Sequence, residues 1–324
     1  MRIVMLGTGT YAVPLLSGLY ASEHDVVGVF TRPEIKKNKK GIVSPSPVRS
    51  RADLEGTKVY APQDINAASS HALLNELQPK LLIVCDYGQI LSSETLLLAS
   101  RGGLNLHASL LPKYRGAAPI HWAIYHGETQ TGNTVIQMNA GVDAGPILAQ
   151  QITPIEPAET TVELEARLAT MGSELILKTI EQMAQGTLEP VSQEKQQMTR
   201  APKLKKKDGQ IDWTRSVIEI FNQIRAMEPW PKTFTHYFDR TGSPLRIIVE
   251  TASVIPINSL SAPVTSEEPG QVIVAGKDDL WVQTGNGILA LKKLQPAGKR
   301  LLTAAEFLRG YRVQAGDQFG SLPE

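Results

Sequence analysis

The first half of the chain alternates short apolar runs with stretches that carry Leu, Val and Ala at helical spacing. Each helical stretch can lay one apolar stripe on a sheet. Parallel strands need such crossovers, because the chain must return to the same end of the sheet before the next strand begins. The alternation therefore predicts an α/β domain, with a Rossmann-like, open and mostly parallel sheet covered by helices on both faces. The predicted strands are Arg2 to Leu6, Asp25 to Phe30, Leu81 to Cys85, Gly103 to His107, Thr134 to Met138 and Pro146 to Gln151, and the predicted helices are Val13 to Ala21, Ala68 to Leu77, Ser92 to Ala99 and Thr161 to Gln185.

The second half has a different pattern. From Gly186 to Gln210 the chain is rich in Gln, Lys, Pro and Gly and poor in large apolar residues, which is typical of a linker. A predicted helix over Ser216 to Met227 is followed by short β runs between Pro, Gly, Asn and Asp, and this spacing predicts a small, OB-like antiparallel β-barrel. We expect a first domain over residues 1–188, a basic linker over 189–207 and a C-terminal barrel domain over 208–324. The predicted barrel strands are Thr233 to Phe238, Leu245 to Ala252, Gly270 to Val274, Leu280 to Gln283 and Ile288 to Leu294.

The overall charge is close to zero but unevenly divided. With 33 Lys and Arg against 32 Asp and Glu, the 324 residues carry a formal net charge of +1, which by itself requires neither a nucleic acid nor a membrane as partner. Residues 1–200 hold 17 basic and 19 acidic side chains, and residues 201–324 hold 16 and 13. The single cysteine, Cys85, excludes an internal disulfide and fits a reducing compartment. No apolar run reaches the roughly 18 to 20 residues of a membrane span, so we expect a soluble, cytoplasmic protein.

Two clusters of lysines interrupt this near neutrality, one in a loop after the second predicted strand and one in the predicted linker. Lysine runs in loops are commonly solvated and contact nothing specific. Two such runs beside one candidate active domain also suit contact with a phosphate backbone, and the pattern leaves both interpretations open. The clusters are Lys36, Lys37, Lys39 and Lys40, and Lys203, Lys205, Lys206 and Lys207.

A glycine-rich turn, from Gly7 to Ala12, follows the first predicted strand and opens a helix. Its sequence, GTGTYA, has the form of the dinucleotide-binding fingerprint. That fingerprint expects an acidic residue about 20 positions further on, whereas the second strand here ends in Thr31 and Arg32. The sequence therefore favours a turn that glycine allows to pack tightly, rather than a dinucleotide site.

The strongest chemical pattern combines an amide, an imidazole and a carboxylate. Asn105 and His107 are two apart on a predicted strand, so their side chains point to the same face. Asp143 lies in the glycine-flanked segment GVDAG, in a loop between two later strands. In open α/β sheets ligands bind at the carboxyl ends of strands. The three groups suit acyl transfer to an amine, with Asn105 and His107 donating to a developing oxyanion and Asp143 orienting His107 and relaying the amine's proton. The same residues can instead satisfy loop backbone groups, and spacing alone leaves this alternative open.

Other chemically capable residues favour structural roles. His121 and His126 are five apart, which is not the spacing of two metal ligands on a helix, so no metal site is expected. Trp122 and Trp230 suit either base stacking or packing, and Cys85 lies on a predicted buried strand.

At these residues the chain resembles the methionyl-tRNA formyltransferase family nearly from end to end. The resemblance implies the formyltransferase fold, with 10-formyltetrahydrofolate as formyl donor and the α-amine of methionyl initiator tRNA as acceptor. It also implies that Asn105, His107 and Asp143 are catalytic and that Ser109, Leu110, Leu111 and Pro112 line the tetrahydrofolate site. The lysine loop would enter the acceptor-stem region of the tRNA, and the barrel would contact the tRNA body. The segments that carry the resemblance are Ala12 to Pro14, Ser44 to Val48, Asn105 to Pro119, Asp143 to Pro146, Ala201 to Leu204, Ile211 to Trp213, Arg225 to Pro231 and Gln295 to Arg300.

The chain departs from the family pattern at two places. The lysine loop reads EIKKNKKG from Glu34 to Gly41 and lacks the arginine expected there, and Gly9 stands where the family has proline. Three alternatives are weaker. A glycinamide ribonucleotide formyltransferase would leave residues 186–324 unexplained. A folate-dependent hydrolase or a sugar-nucleotide formyltransferase domain is usually fused to a dehydrogenase, for which this sequence has no counterpart. A non-catalytic RNA-binding protein would not need all three of Asn105, His107 and Asp143. We expect a monomer that binds initiator methionyl-tRNA and the folate co-substrate, with no metal and no membrane.

Overall fold

The computed structural model describes residues 1–34, 44–238, 243–256 and 268–322. The chain divides into two compact units. The first contains residues 1–120, 129–155 and 163–203, and the second contains residues 121–128, 156–162 and 204–324. The domain boundaries expected at residues 188 and 207 remain a prediction.

The first unit is built on a seven-stranded sheet in the order β3-β2-β1-β4-β5-β7-β8. Neighbouring strands from β3 to β5 run parallel, while β7 is antiparallel to both β5 and β8. The central strands β1 and β4 are apolar nearly throughout because both of their faces are covered. The predicted Rossmann-like, mostly parallel sheet is therefore confirmed. The strands are Arg2–Gly7 (β1), Asp25–Phe30 (β2), Val59–Tyr60 (β3), Leu81–Cys85 (β4), Gly103–His107 (β5), Arg115–Gly116 (β6), Gln130–Gln137 (β7), Ile147–Pro154 (β8) and Arg200–Ala201 (β9).

Helices connect these strands. The helices predicted over Val13 to Ala21, Ala68 to Leu77 and Thr161 to Gln185 are observed with those bounds. The helix predicted over Ser92 to Ala99 is shorter in the structure, and two further helices, α2 and α5, were not predicted. Helix α2 was not predicted because it is short and buries two apolar residues, Val48 and Ala52. It begins with Pro47, and the Ser46 hydroxyl caps it by accepting a hydrogen bond from Arg49 N. The helices are Val13–Ala21 (α1), Pro47–Leu54 (α2), Ala68–Leu77 (α3), Ser93–Leu97 (α4), Pro119–Tyr125 (α5) and Thr161–Gln185 (α6).

The second unit is a nearly closed antiparallel barrel with strands in the order β12-β13-β14-β11-β10-β16. The two ends of this sheet meet, because Val272 N donates to Asp317 O and Phe319 N donates to Gly270 O, each at 2.8 Å. The predicted barrel is therefore confirmed, with α8, β15 and β16 as additions. Its elements are Val217–Ala226 (α7), Thr233–Phe238 (β10), Pro244–Ile255 (β11), Val272–Ala275 (β12), Leu280–Gln283 (β13), Ile288–Pro296 (β14), Leu302–Thr303 (β15), Ala304–Tyr311 (α8) and Gln318–Gly320 (β16).

Two capping boxes begin the helices of this unit. Ser216 and Glu219 begin α7, and Thr303 and Glu306 begin α8, each pair exchanging side-chain and backbone hydrogen bonds. Among the described residues of the whole chain, no helix is long and apolar enough to cross a membrane.

Candidate active site

Strand β5 carries the first two residues of the site. Asn105 and His107 are buried, with 9% and 6% of their surface exposed. They lie where the sheet changes direction, because β5 pairs parallel with β4 and antiparallel with β7. Their side chains point to the same face of the sheet, as predicted from their spacing of two residues along the strand. This is the carboxyl end of the parallel part of the sheet, where ligands bind in open α/β folds.

Asp143 joins the two residues. It lies in the loop between β7 and β8, and its backbone has a positive φ of 47°. Asn105 Nδ2 donates to Asp143 Oδ1 at 3.1 Å, and His107 Nδ1 lies 3.6 Å from Asp143 Oδ2. The structure thus brings together the amide, the imidazole and the carboxylate, although Asp143 follows Asn105 by 38 positions in the sequence.

The second ring nitrogen of His107 has a fixed partner. His107 Nε2 lies 2.9 Å from Tyr114 O. A carbonyl oxygen only accepts hydrogen bonds, so Nε2 carries the proton of that contact. Nδ1 is therefore the ring atom that faces Asp143, and the two form an ion pair only when the ring is protonated.

Gly116 holds the carboxylate from the other side. Its backbone N–H donates to Asp143 Oδ2 at 2.9 Å. Gly116 has φ 126°, and a Cβ at this position would lie 2.5 Å from Ala201 O. The two-stranded pairing of β6 with β9 therefore requires glycine here, and it aims the N–H at Asp143.

Residues of the predicted linker support the site, which the sequence did not reveal. Gln193 Nε2 donates to Asp143 O at 2.9 Å and to Gly145 O at 2.7 Å, while its Oε1 accepts from Arg115 at 3.1 and 2.7 Å. Thr199 accepts from Tyr114 N through its Oγ1 at 2.8 Å. One glutamine thus fixes the Asp143 loop to the segment that carries Gly116.

The segment from Ser109 to Pro112 is held by hydrogen bonds to Lys113 and Thr134. Ser109 Oγ donates to Lys113 O at 2.7 Å, and Thr134 Oγ1 donates to Ser109 O at 2.6 Å and accepts from Leu111 N at 3.1 Å. Ser109 and Leu111 are buried, whereas Leu110 and Pro112 are partly exposed. The two partly exposed apolar side chains are the part of this segment open to a ligand.

The glycine-rich turn packs against the residue that follows β4. Gly9 N–H donates to the carboxylate of Asp86, and a Cβ on Gly9 would lie 1.8 Å from Asp86 Oδ2. A side chain at position 9 would collide with Asp86. This agrees with the tight-packing interpretation of the turn.

The remaining candidate residues are the two lysine clusters and several single His, Cys and Trp side chains. Lys36, Lys37, Lys39 and Lys40 lie outside the described residues, and Lys203, Lys205, Lys206 and Lys207 are exposed. Burial lowers the pKa of His121 to about 4, and burial raises the pKa of the fully buried Cys85 thiol. Trp122 packs against Tyr125 and His126, and Trp230 is 50% exposed. Within the described ranges, no group of His, Cys, Asp and Glu is arranged to hold a metal ion.

Comparison with known proteins identifies the family that this chain resembles along its length. Residues 1–180 match the family model described as formyl transferase, and residues 203–312 match the formyl transferase C-terminal domain. The chain is 38% identical over 320 residues to the methionyl-tRNA formyltransferase of Citrifermentans bemidjiense, covering 99% of this chain and 96% of that protein. It is 35% identical to the methionyl-tRNA formyltransferase of Bacillus subtilis, covering 98% of both.

Solved structures share the fold. An N-formyltransferase from Helicobacter canadensis, in complex with folinic acid and dTDP-3-aminofucose, aligns with a TM-score of 0.64. The two chains are 20% identical, and the alignment covers 90% of this chain and 99% of the other.

Proposed function

The chain belongs to the methionyl-tRNA formyltransferase family, and from that membership we propose that it transfers a formyl group from 10-formyltetrahydrofolate to the α-amine of methionyl initiator tRNA. The observation that carries the proposal is the meeting of Asn105, His107 and Asp143 at the carboxyl end of β5. The product would be N-formylmethionyl-tRNA, and protein synthesis on such a tRNA makes the cytoplasm the proposed location.

Asn105 supplies a hydrogen bond to the reacting oxygen. Attack of the amine nitrogen on the formyl carbon forms a C–N bond and moves an electron pair onto the formyl oxygen. One N–H of Asn105 Nδ2 is donated to Asp143, and the amide carries a second N–H. We assign that second N–H to the developing oxyanion, where a fixed donor contributes about 10² to 10³ in rate.

His107 acts through Nδ1. Because Tyr114 O holds Nε2–H at 2.9 Å, the other nitrogen is left for the chemistry. In its protonated form Nδ1–H donates to the oxyanion, and Asp143 stabilises the charged ring from 3.6 Å.

Asp143 receives the proton that the amine must lose. A free α-amine has a reference pKa of roughly 7.7 to 8.0, so a useful fraction is neutral near pH 7 and no strong base is required. The carboxylate takes the proton from the attacking nitrogen, directly or through water. When the bond from the formyl carbon to the folate nitrogen breaks, that nitrogen keeps the electron pair and takes up a proton as tetrahydrofolate leaves.

We assign the segment from Ser109 to Pro112 to the tetrahydrofolate site. The partly exposed apolar side chains of Leu110 and Pro112 suit one face of a flat ring system. Buried Ser109 and Leu111 keep the segment in shape through Lys113 O and Thr134 Oγ1.

We assign both lysine clusters to the tRNA backbone: Lys36, Lys37, Lys39 and Lys40, and the exposed Lys203, Lys205, Lys206 and Lys207. Replacing Lys206 and Lys207 by Ala should weaken tRNA binding and flatten its salt dependence, because each phosphate contact releases counterions. The matched control is the double variant Lys80→Ala and Lys178→Ala, which removes the same charge from two other exposed positions. Equal losses in both double variants would contradict the assignment.

A comparison of two formyl acceptors tests the proposed function directly. Formyl-labelled 10-formyltetrahydrofolate is incubated with the full-length protein and either charged initiator tRNA or glycinamide ribonucleotide. We expect label in the tRNA product alone. Transfer to glycinamide ribonucleotide instead, or no transfer by folded protein, would refute the proposal.

A further inference from the structure

The glycine turn, from Gly7 to Ala12, has a form that commonly binds anions, yet the proposed function does not use it. It joins β1 to the helical segment that opens α1. Turns between a parallel strand and a helix present backbone N–H groups and a positive helix end, and phosphates bind there in many α/β proteins.

The protein's own carboxylates occupy donors of this turn. Gly9 N–H donates to Asp86, the residue directly after β4. The neighbouring Thr10 hydroxyl donates at 2.5 Å to Oε1 of Glu165, a residue of helix α6. Two donors of the turn are therefore already paired with negative charge.

Asp86 lies directly against the turn. A Cβ on Gly9 would lie 1.8 Å from Asp86 Oδ2 and 3.0 Å from its Cγ, so the carboxylate occupies the space beside the turn backbone. The residue as a whole is exposed, but its carboxylate is packed against Gly9. This loss of solvation, together with the charge of Glu165, raises the pKa of Asp86 to about 6, against the opposing influence of Arg32. At neutral pH the carboxylate is charged and lies against Gly9, whose N–H an incoming phosphate would need.

We propose that Asp86 is a specificity residue that keeps phosphate groups out of the glycine turn. An approaching dianion would have to displace the Asp86 carboxylate from Gly9 N–H and would meet the charge of Glu165 as well. The consequence for the acceptor rests on the proposed function: phosphates of the substrate bind lysines elsewhere and not the glycine turn.

Sulfate binding tests the exclusion, since sulfate is a dianion of phosphate's shape that does not change its charge between pH 5 and 8. Calorimetry at constant ionic strength compares the wild type with Asp86→Ala, which removes both charge and carboxylate. We expect sulfate to bind Asp86→Ala about tenfold more tightly or better, the effect of one recovered hydrogen bond to a charged group. Asp86→Asn, which removes the charge and keeps the shape, should show a smaller gain and serves as the test if the alanine variant does not fold.

Two comparisons separate exclusion from a general charge effect. Glu76→Ala removes one negative charge from an exposed position of α3 and should leave sulfate binding unchanged. In the wild type, sulfate affinity should increase as the pH falls through about 6 and Asp86 is protonated. Asp86→Ala retains Glu165 and Arg32 and should lack that increase. If Asp86→Ala gains no more than Glu76→Ala, the proposal is wrong. The measurement uses neither substrate of the transfer, so failure of the proposed function would leave its result unaffected.

Discussion

The backbone N–H of Gly116 donates to Asp143 Oδ2 at 2.9 Å. A residue without a side chain therefore holds the carboxylate that contacts Asn105 and lies beside His107. The pairing of β6 with β9 orients this N–H, and β9 lies some 85 positions after β6 in the sequence. The candidate active site thus depends on a backbone contact as much as on its three side chains.

Replacing Gly116 by Ala should lower kcat/KM by about a hundredfold, the effect expected when a catalytic group is displaced by about 1 Å. The new Cβ would lie 2.5 Å from Ala201 O, so β6 has to move and the N–H leaves Asp143. Steady-state kinetics and thermal unfolding of the same preparation measure the effect. The matched control is Gly186→Ala, which has a similarly positive φ of 71° but no atom within 4 Å of the new Cβ. Equal losses of activity in both variants would show that backbone strain, and not the contact with Asp143, is responsible.

Replacing Gln193 by Ala should reduce kcat by about 10- to 100-fold, in the range of losses caused by misplaced catalytic groups. Among the described residues, the Gln193 side chain hydrogen-bonds to the backbone of the Asp143 loop and to the Arg115 side chain, so we expect it to position Asp143 without taking part in the chemistry. Gln193→Glu loses the donor and should behave in the same way. The control is Gln197→Ala in the same segment, whose side chain is exposed and contacts Glu194. A Gln193 variant that raises KM and leaves kcat unchanged would contradict a positioning role.

Replacing Asp143 by Asn should lower kcat by about 10² to 10⁴, the usual range for loss of a proton-transfer group. The substitution keeps the size of the side chain but removes the charge beside His107 Nδ1. Binding of the folate co-substrate, measured by calorimetry, should change little, because Ser109 to Pro112 are held by other residues. Loss of folate binding in parallel with activity would indicate that the loop, and not the reaction, is affected.

The sequence predicted most of the fold because local patterns determine it. Strands such as Leu81–Cys85 and the long helix Thr161–Gln185 have the predicted bounds, because the spacing of their apolar residues and the length of each segment indicate one type of structure. Strand spacing and the rule for carboxyl ends predicted that Asn105, His107 and Asp143 could meet, although spacing alone left a structural role for them open. The contacts of Gly116 and Gln193 could not be predicted, because they depend on hydrogen bonds between segments far apart in sequence. The pairing of Gly9 with Asp86 is of the same kind, although its sequence signal, an unexpected glycine, was visible.

Replacing Asp86 by Asn should increase the free energy of unfolding at pH 7.5 and have less effect at pH 5. Burial of the carboxylate and the charge of Glu165 raise the pKa of Asp86 to about 6, well above that of an unfolded Asp. The folded state therefore binds a proton more readily than the unfolded state, and the charged form destabilises the fold above pH 6. Urea unfolding at both pH values measures the difference between wild type and variant. A difference that stays constant from pH 5 to pH 7.5 would contradict the raised pKa.

Gly9 and Asp86 should be strongly coupled in a double-mutant cycle. In the wild type, Gly9→Ala places a methyl group 1.8 Å from Asp86 Oδ2, so the carboxylate must leave the turn and its hydrogen bond to Gly9 N–H. We expect a loss of stability of about 1 to 3 kcal/mol, the range for overpacking. Gly9 has φ −86°, which alanine adopts without strain, and the three atoms nearest the new methyl group all belong to Asp86. In the Asp86→Ala background the same substitution should therefore cost little. Urea unfolding of the four proteins gives the coupling energy directly, and an equal cost of Gly9→Ala in both backgrounds would mean that the turn itself, and not the carboxylate, requires glycine.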